Sequence, residues 1–399
     1  MRRTVYAFFH RYDAPILAAE ELVQGNVEIR RDRRLLAISI LRGTEFVIAD
    51  ADFELLAQLP SDRWVDVEDL PPDDRPRIAQ LAEQGLVVST AADPLLTELR
   101  RRDEHLASGH WNIYAALFHS LSTWRDVDLR RHFADPAELP LQADDAVAEF
   151  VARHGPPPPH FHRVGRGDRV VELPLARREG GVFGALRSRK TTRAFDQAAP
   201  LTLEELGVVL YEVFGCHGLV AIGGEVTALK KTSPSGGSLH PIEAYALVRN
   251  VDGVEPGLYH YRTDDHALER LEALTTEEAE RVAAEFTCGQ TYWATAAVSF
   301  ILVARFRRSF WKYRKHQRSY SVLLLDAGHL SQTLYLVSAE LGLGAFVTTA
   351  INGANIEERL GLDPFDQGAL AVTGCGRPAR EPTPLEPTFV PFVPRRSAR

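Results

Sequence analysis

The amino-acid sequence predicts an α+β protein built from more than one domain. Its 399 residues exceed what one ordinary hydrophobic core holds, so two or three domains are expected. In the second half of the chain, apolar runs of strand length alternate with longer segments of helical periodicity. Hydrophobic residues make up 45% and charged residues 25% of the chain, which is typical of globular proteins.

Residues 1–95 are predicted to form a small N-terminal domain of winged-helix-like type. A predicted helix ends at Gly85, a glycine at the position where helices commonly end in left-handed backbone, and a short strand follows directly. A helix followed in this way by a strand is typical of such a domain. The predicted elements are a hairpin over 26–41 that turns at the charged run 31–34, a helix over 52–59 and a helix over 77–84.

Three roles are open for this N-terminal domain. Winged helices commonly bind DNA, but the second predicted helix carries only Arg75 and Arg77 against Glu83, and the net charge of the chain is −8. A DNA-binding domain normally carries a basic stripe, so nucleic acid is not expected as a partner. Binding of an extended peptide by strand addition, and a purely structural or dimerising role, are the alternatives.

Residues 96–154 are predicted as a helical connecting region and residues 155–172 as a Pro-rich linker. His110 and His119 lie on a mostly apolar helical segment, and no carboxylate or cysteine completes a ligand set with them. Packed histidines are therefore expected, and no metal site. The linker contains four consecutive prolines, which make a stiff, extended connector.

Residues 173–380 form the predicted second domain, followed by a Pro-rich tail over 381–399. Thr202 is placed to cap a helix while Glu205 reaches back to the amide of Thr202. The segment 296–304 is almost wholly apolar and is therefore expected as a central strand. The other predicted elements are helices over 182–186, 202–213 and 320–341 and strands over 244–248, 257–261, 345–350 and 370–374.

The stretch Arg189–Asp196, here called the basic motif, opens with three cations and two hydroxyl groups within five residues. Guanidinium groups bind phosphate bidentately, an ammonium adds a point charge and hydroxyls add neutral donors, so the motif predicts a compact anion receptor. The alternative is a solvated basic turn, because charge runs are common on surfaces. The stretch Thr232–Pro241, here called the Ser-Gly loop, favours the receptor, since its small residues let backbone approach a flat ligand.

Together, the basic motif and the Ser-Gly loop resemble the flavin-binding segments of the nitroreductase-like FMN oxidoreductases. The resemblance runs over residues 173–377 and implies an FMN-binding domain with a central antiparallel-type sheet flanked by helices. No Gly-x-Gly-x-x-Gly turn follows a strand, so no Rossmann nucleotide site is expected. The residues implied for FMN are Arg189, Lys190, Thr191 and Arg193 at the phosphate, Pro234, Ser235, Gly236 and Gly237 against the ring, and Arg377 as a further cation for the phosphate.

Two later pairs, Lys312-Tyr313 and Gly328-His329, narrow the resemblance to the SagB-type azoline dehydrogenases, which mature ribosomally synthesised peptides. The resemblance implies that Lys312 and Tyr313 are the catalytic pair. Oxidation of an azoline removes a proton from carbon, and lysine and tyrosine can both carry a proton. Without the flavin motifs, the basic surroundings of this pair would indicate a solvated helix or a subunit interface. His329 is expected to be structural.

The function that the resemblance implies is FMN-dependent oxidation of azoline rings to azoles in a precursor peptide. It also implies a homodimer, a leader peptide bound by the N-terminal domain and a cyclodehydratase partner. One alternative is an NAD(P)H-dependent nitro or quinone reductase, which the long N-terminal region and the Lys312-Tyr313 pair count against. The other is a non-catalytic peptide-binding scaffold, which the intact basic motif counts against.

The cysteines and the N-terminus favour a cytoplasmic location. Cys216, Cys288 and Cys375 have no close partners in the sequence and suit a reducing compartment. The first residues lack the apolar core of a signal peptide, and nowhere do about eighteen apolar residues follow one another. Membrane association is therefore not expected.

Overall fold

A computed structural model describes residues 1–17, 29–129, 148, 151–153, 155–161, 171, 179–223, 226–380 and 386. The chain divides into two compact units. The first contains residues 1–123, 305–322 and 363–367, and the second contains 124–304, 323–362 and 368–399. Most of the predicted linker and nearly all of the predicted tail lie outside the described residues, and the predicted domain boundaries stay predictions. In the part of the chain that the structure describes, no helix is long and apolar enough to cross a lipid bilayer.

Strands and helices occur in both halves of the chain, as an α+β fold requires. The strands are β1 (Arg2–Arg3), β2 (Ala7–Leu17), β3 (Ile29–Ser39), β4 (Thr44–Ile48), β5 (Val87–Val88), β6 (Gly218–Gly223), β7 (Val226–Lys230), β8 (Ile242–Val248), β9 (Gly257–Arg262), β10 (Ala267–Ala273), β11 (Val298–Arg305), β12 (Gly344–Thr348) and β13 (Gln367–Gly376). The helices are α1 (Asp50–Gln58), α2 (Arg75–Glu83), α3 (Pro94–Ser108), α4 (Ile113–Ser122), α5 (Gly181–Ser188), α6 (Leu203–Phe214), α7 (Thr276–Phe286), α8 (Thr291–Ala294), α9 (Phe306–Phe310), α10 (Ser319–Glu340) and α11 (Gly353–Arg359).

In the first unit, α1 and α2 share a hydrophobic core with the antiparallel sheet β2–β3–β4. Both helices were predicted and are confirmed, and Gly85 closes α2 with a φ of +70°. Whether this arrangement is a winged helix stays a prediction. The core residues are Leu35, Ala37, Ile48, Leu55, Leu56, Leu59, Ile78, Leu81, Ala82, Leu86 and Val87.

The predicted hairpin turn at residues 31–34 is wrong. β3 runs straight through this segment, and its residues Arg31 to Arg34 pair with Pro15 to Tyr12 of β2. The turn was inferred from charge, but charged residues are also compatible with an extended ribbon that meets solvent on one face. Burial alternates along the rest of β3, with Leu35 and Ala37 inward, as the two-residue strand period requires. Residues 26–28 of the predicted hairpin lie outside the described residues.

The second unit is built on a six-stranded sheet in the order β10-β9-β8-β11-β13-β12. The pairs β10–β9, β9–β8, β8–β11 and β12–β13 are antiparallel, in agreement with the predicted sheet type. β11 lies inside the sheet and is buried over Val298–Ala304, as its apolar sequence predicts. α6 starts with the predicted capping box, in which Thr202 and Glu205 bond to each other's backbone amides.

Replacing Gly374 by alanine should destabilise the second unit. An added Cβ would lie 2.5 Å from the Val298 carbonyl oxygen and 2.6 Å from a ring carbon of Phe346, both in the buried sheet. Overpacking of this kind costs about 1–3 kcal/mol, to be measured by urea unfolding. Gly184→Ala is the matched control, because a Cβ on this glycine of α5 meets nothing within 4 Å. It should stabilise by up to about 1 kcal/mol through helix propensity, and an equal effect of both changes would contradict the packing account.

Candidate functional site

The Ser-Gly loop has a backbone that most residue types avoid. Gly237 has a φ of +64°, and two non-glycine residues, Ser238 and His240, also have positive φ values of +54° and +45°. Each such non-glycine residue costs of order 1–3 kcal/mol unless its surroundings enforce the conformation. Part of that enforcement comes from the Ser235 hydroxyl, which accepts a hydrogen bond from the His240 amide at 2.9 Å.

One face of α10 holds the Ser-Gly loop through three side chains. Asp326 accepts hydrogen bonds from the Ser235 hydroxyl at 2.6 Å and from the Gly236 amide at 3.1 Å. His329 Nδ1 donates to the Pro234 carbonyl at 3.1 Å, and the Thr333 hydroxyl lies 2.6 Å from that of Ser233. His329 therefore has the structural contact expected of it, whereas sequence reasoning missed Asp326.

Little free space remains beneath the Ser-Gly loop. The cavity there measures about 10 Å³ and is lined by residues that include Lys231, Asp326 and Leu330. Lys231 is buried, and its ammonium donates to the Phe214 carbonyl at 2.7 Å. Burial lowers the pKa of Lys231 below its usual value, and the charge of Glu243 partly opposes this shift. A cavity of this size is at the limit of holding one water molecule.

The basic motif is attached to one end of the antiparallel β12–β13 pair, where β12 starts and β13 ends. The Thr192 amide donates to the Ala345 carbonyl at 2.9 Å, and the Asp196 amide donates to the Arg377 carbonyl at 2.8 Å. These backbone bonds fix the course of the motif, so the directions of its side chains are set by the sheet.

Tyr335 of α10 contacts two residues of the basic motif. The Arg189 guanidinium lies over the Tyr335 ring, 5.4 Å from its centroid, and the Thr191 hydroxyl lies 3.0 Å from the tyrosine hydroxyl. The Arg193 guanidinium lies over the Trp293 ring at 5.5 Å. Stacking of this kind orients a guanidinium, whose N–H groups point outward from its edges.

A cavity of about 200 Å³ lies beside the basic motif. It is smaller than the roughly 300 Å³ at which pockets for drug-sized ligands begin, so it has room for an anionic group but not for a whole mononucleotide. A larger cavity of about 570 Å³ lies between α6 and the β9–β10 hairpin and contains none of the predicted site residues. The residues lining the smaller cavity are Ser188, Arg189, Lys190, Thr192, Tyr335, Ala339, Gly342, Leu343, Gly344, Ala345 and Pro378.

A carboxylate of the chain itself already binds part of the basic motif. Glu386 accepts hydrogen bonds from the Lys190 ammonium at 3.1 Å and from the backbone amides of Arg193 at 2.8 Å and Ala194 at 3.1 Å. Burial alone would raise the pKa of Glu386, but these donors outweigh it and the pKa is lowered. Glu386 is therefore held by one side chain and two backbone amides of this segment, and the predicted phosphate site stays a prediction.

Arg377 is engaged by Glu205. Both carboxylate oxygens of Glu205 lie 2.7 Å from one guanidinium nitrogen of Arg377. Hydrogen bonds from Thr202 and Arg377 lower the pKa of Glu205 against the opposing effect of its burial. Arg377 thus joins the end of β13 to the start of α6.

Lys312 and Tyr313 lie in the first unit, in the connection between α9 and α10. Lys312 is exposed, Tyr313 is half-buried, and the Lys312 ammonium lies 5.9 Å from the centre of the Tyr313 ring. This connection is fixed at Lys315, whose amide donates to the His110 carbonyl and whose carbonyl accepts from the Asn112 side chain, both at 2.9 Å. The residues predicted to bind flavin belong to the second unit.

His119 is packed, as predicted, in an aromatic cluster of the first unit. Its Nε2 donates to the Pro364 carbonyl at 2.7 Å, and its Nδ1 lies 3.1 Å from the Tyr320 hydroxyl. The indole of Trp111 packs against Phe306 and donates to the Phe365 carbonyl at 3.0 Å. Among the described residues, no group of three or more His, Cys, Asp or Glu side chains could hold a metal ion.

Acid should destabilise the first unit through His119. Burial lowers the pKa of His119 to about 4. Between pH 6.5 and pH 4, His119 is therefore protonated in the unfolded chain but neutral in the folded chain. Stability is then fully present above pH 6.5 and falls as the pH drops towards 4. Between pH 7 and pH 5 the free energy of unfolding should fall by roughly 2 kcal/mol more in the wild type than in His119→Gln. Equal losses in urea unfolding at the two pH values would contradict this.

Known proteins are similar to the second half of the chain. The nitroreductase family model matches residues 186–377. Over 182 residues the chain is 31% identical to MJ1384 of Methanocaldococcus jannaschii, which is named as a nitroreductase, and the match covers 45% of this chain and 84% of that protein. The chain belongs to the nitroreductase family. The matched residues 186–377 of this chain contain the basic motif, the Ser-Gly loop and Lys312-Tyr313, so the predicted superfamily is confirmed.

Two further similarities are to a curated relative and to a solved structure. Over 145 residues this chain is 35% identical to the trifolitoxin-processing protein TfxB of Rhizobium leguminosarum bv. trifolii, a match that covers 36% of this chain and only 39% of TfxB. A chain of the E. coli microcin synthetase McbBCD complex with truncated pro-MccB17 bound is 19% identical. That match covers 68% of this chain and 96% of the other, with a TM-score of 0.49.

Proposed function

We propose that the protein is an FMN-dependent dehydrogenase of SagB type that oxidises azoline rings to azoles in a ribosomally synthesised peptide. The observation that carries this proposal is the 35% identity to TfxB, a protein of toxin processing, within a chain of the nitroreductase family. Azoline oxidation itself comes from the resemblance of the Lys312-Tyr313 and Gly328-His329 pairs to that subgroup.

The residues at the basic motif fit the phosphate of FMN. The 200 Å³ cavity has room for a phosphate group, and Arg189 and Lys190 line it. Thr191 and Arg193 stand beside them. Lys190 and two backbone amides already donate to the carboxylate of Glu386, which supports an anion site here. In this proposal Pro234, Ser235, Gly236 and Gly237 lie against the flavin ring. Arg377 would add charge to the phosphate only by leaving Glu205.

The basic motif, proposed to bind the phosphate, and the Ser-Gly loop, proposed to bind the ring, contact different faces of α10. This arrangement supports a homodimer. Successive residues of an α-helix turn by about 100°, so Asp326 beneath the Ser-Gly loop and Tyr335 beside the basic motif lie on opposite faces. A ligand bound by both segments of one chain would have to reach round the helix. A second copy can instead bring its Ser-Gly loop to the basic motif of the first, giving each FMN two chains.

In the proposed reaction the azoline loses two hydrogen atoms and becomes an azole. FMN, when bound, supplies the acceptor for two electrons, and oxygen is the proposed final acceptor. Lys312 and Tyr313 are the proposed pair that takes the proton from the ring carbon, and the bonds of Lys315 to His110 and Asn112 hold their segment in place. The proposed partners are a precursor peptide, whose leader the N-terminal domain would bind, and a cyclodehydratase that forms the azoline.

The alternative within the family is an NAD(P)H-dependent nitro or quinone reductase, which the match over 84% of MJ1384 favours. A non-catalytic peptide-binding scaffold is the alternative outside enzymes. Two measurements distinguish the dehydrogenase, the reductase and the scaffold: whether the protein binds FMN, and which substrate it converts.

The first test is the visible spectrum of the purified protein, followed by turnover of an azoline-containing peptide. Flavin bands, FMN released on denaturation and loss of two hydrogens from the peptide by mass are expected. Lys312→Ala should lower the rate by about 100-fold or more, the range of general base catalysis. Lys315→Ala removes an exposed side chain of the same connection, leaves the backbone bonds of residue 315 to His110 and Asn112 in place, and should keep the rate. A colourless protein that takes up no FMN would rule out the enzyme, and reduction of nitroaromatics by NAD(P)H alone would favour the reductase.

Two substitutions at the basic motif should change FMN affinity in opposite directions. Arg189→Ala removes a charge-assisted donor and should weaken binding by about 10- to 100-fold. Glu386→Gln removes the negative charge that pairs with Lys190 and should tighten binding by about two- to tenfold.

Flavin fluorescence titration measures both changes, and riboflavin, which lacks the phosphate, is the control ligand. Its affinity should stay the same in both variants. Weaker FMN binding by Glu386→Gln would indicate that Glu386 only holds the motif in shape.

A further inference from the structure

Asp326 is a buried carboxylate whose two hydrogen bonds both go to the Ser-Gly loop. Asp326 is 3% exposed, and its carboxylate oxygens accept hydrogen bonds from the Ser235 hydroxyl and the Gly236 amide. Within the described ranges, no cation lies at ion-pair distance from Asp326. Lys231 lines the same small cavity but directs its ammonium to the Phe214 carbonyl.

The Ser-Gly loop needs such support because its conformation is strained. Ser238 and His240 both have left-handed backbone, and the His240 amide bonds to the same Ser235 hydroxyl that donates to Asp326. Asp326, Ser235 and His240 therefore form one chain of hydrogen bonds that ties the strained backbone to α10. Strain of this kind persists only where the surroundings over-determine the conformation.

Solvent has little access to these two hydrogen bonds. The cavity lined by Asp326 measures only about 10 Å³, at the limit of one water molecule, so the Ser235 hydroxyl and the Gly236 amide depend on the carboxylate as their acceptor. A buried donor without a partner costs about 1–3 kcal/mol, so removal of the carboxylate should release the loop rather than leave it in place.

We propose that Asp326 is a positioning residue of the proposed flavin site, which holds the Ser-Gly loop in its strained shape and places a fixed negative charge behind the ring-facing backbone. The effect of Asp326 on the flavin rests on the proposed function, whereas its support of the loop conformation does not. A buried negative charge disfavours the gain of electrons by a nearby group, so Asp326 should keep the reduction potential of bound FMN low.

The test compares Asp326→Asn, Asp326→Ala and Thr333→Val. Asparagine keeps the shape, and its carbonyl oxygen can accept from the Gly236 amide while its amide nitrogen donates to the Ser235 oxygen, but it carries no charge. The FMN potential of Asp326→Asn should therefore be more positive than that of the wild type, with the dissociation constant within about threefold. Asp326→Ala should bind FMN at least tenfold more weakly. Thr333→Val removes a bond to the same loop without changing charge, and should leave the potential unchanged.

An unchanged potential in Asp326→Asn would overturn the charge role, since a merely structural residue would give that result. A second measurement needs no flavin. Hydrogen exchange of the peptide that covers the Ser-Gly loop should be faster in Asp326→Ala and unchanged in Asp326→Asn, and unchanged exchange in Asp326→Ala would overturn the positioning role. Absence of FMN from the wild type would overturn the proposed function instead, and the exchange experiment would still decide the role of Asp326 in the loop.

Discussion

The candidate site depends on the use of α10 from two opposite faces. One face bonds to the Ser-Gly loop through Asp326, and the other contacts the basic motif through Tyr335. Helix geometry fixes both the rise between these residues, about 13 Å, and the half-turn between them. The loop and the motif are therefore positioned by one rigid element although 35 residues separate them in sequence. Neither segment can move along the helix without breaking buried polar contacts, which cost more to lose than they contribute when made.

Much of this fold could be predicted because local signals and tertiary packing agree. The capping box at Thr202 and Glu205, the glycine that closes α2 and the apolar run of β11 each specify an element through nearby residues alone. The predicted turn at residues 31–34 failed for the opposite reason. Its charges are local, whereas the strand is decided by pairing with β2, and a single sequence does not contain that pairing.

The basic motif and the Ser-Gly loop could be found from composition, but their support could not. Asp326 lies ninety residues after Gly236 and Glu386 lies far beyond Lys190 along the chain, so no spacing rule connects them. A partial signal existed at Asp326, which stands one helical turn before His329 on the same face of a recognisable helix. The anchoring of Lys315 by His110 and Asn112 gave no signal, because it joins the backbone of Lys315 to a carbonyl and a side-chain amide about two hundred residues away in the sequence.

Glu386 gives the basic motif a counter-charge before any ligand arrives. Lys190 and the amides of Arg193 and Ala194 are already satisfied, so an incoming phosphate that used them would exchange one anion for another. Such an exchange changes the local charge less than the binding of an anion to an empty site does. The affinity of the site therefore depends less on ionic strength than that of an open basic cleft, where binding releases bound counterions to the bulk solution. Glu386 also excludes anions that bind weakly. Such anions would not displace a carboxylate that is tethered to the same chain, because its effective concentration at the site is high.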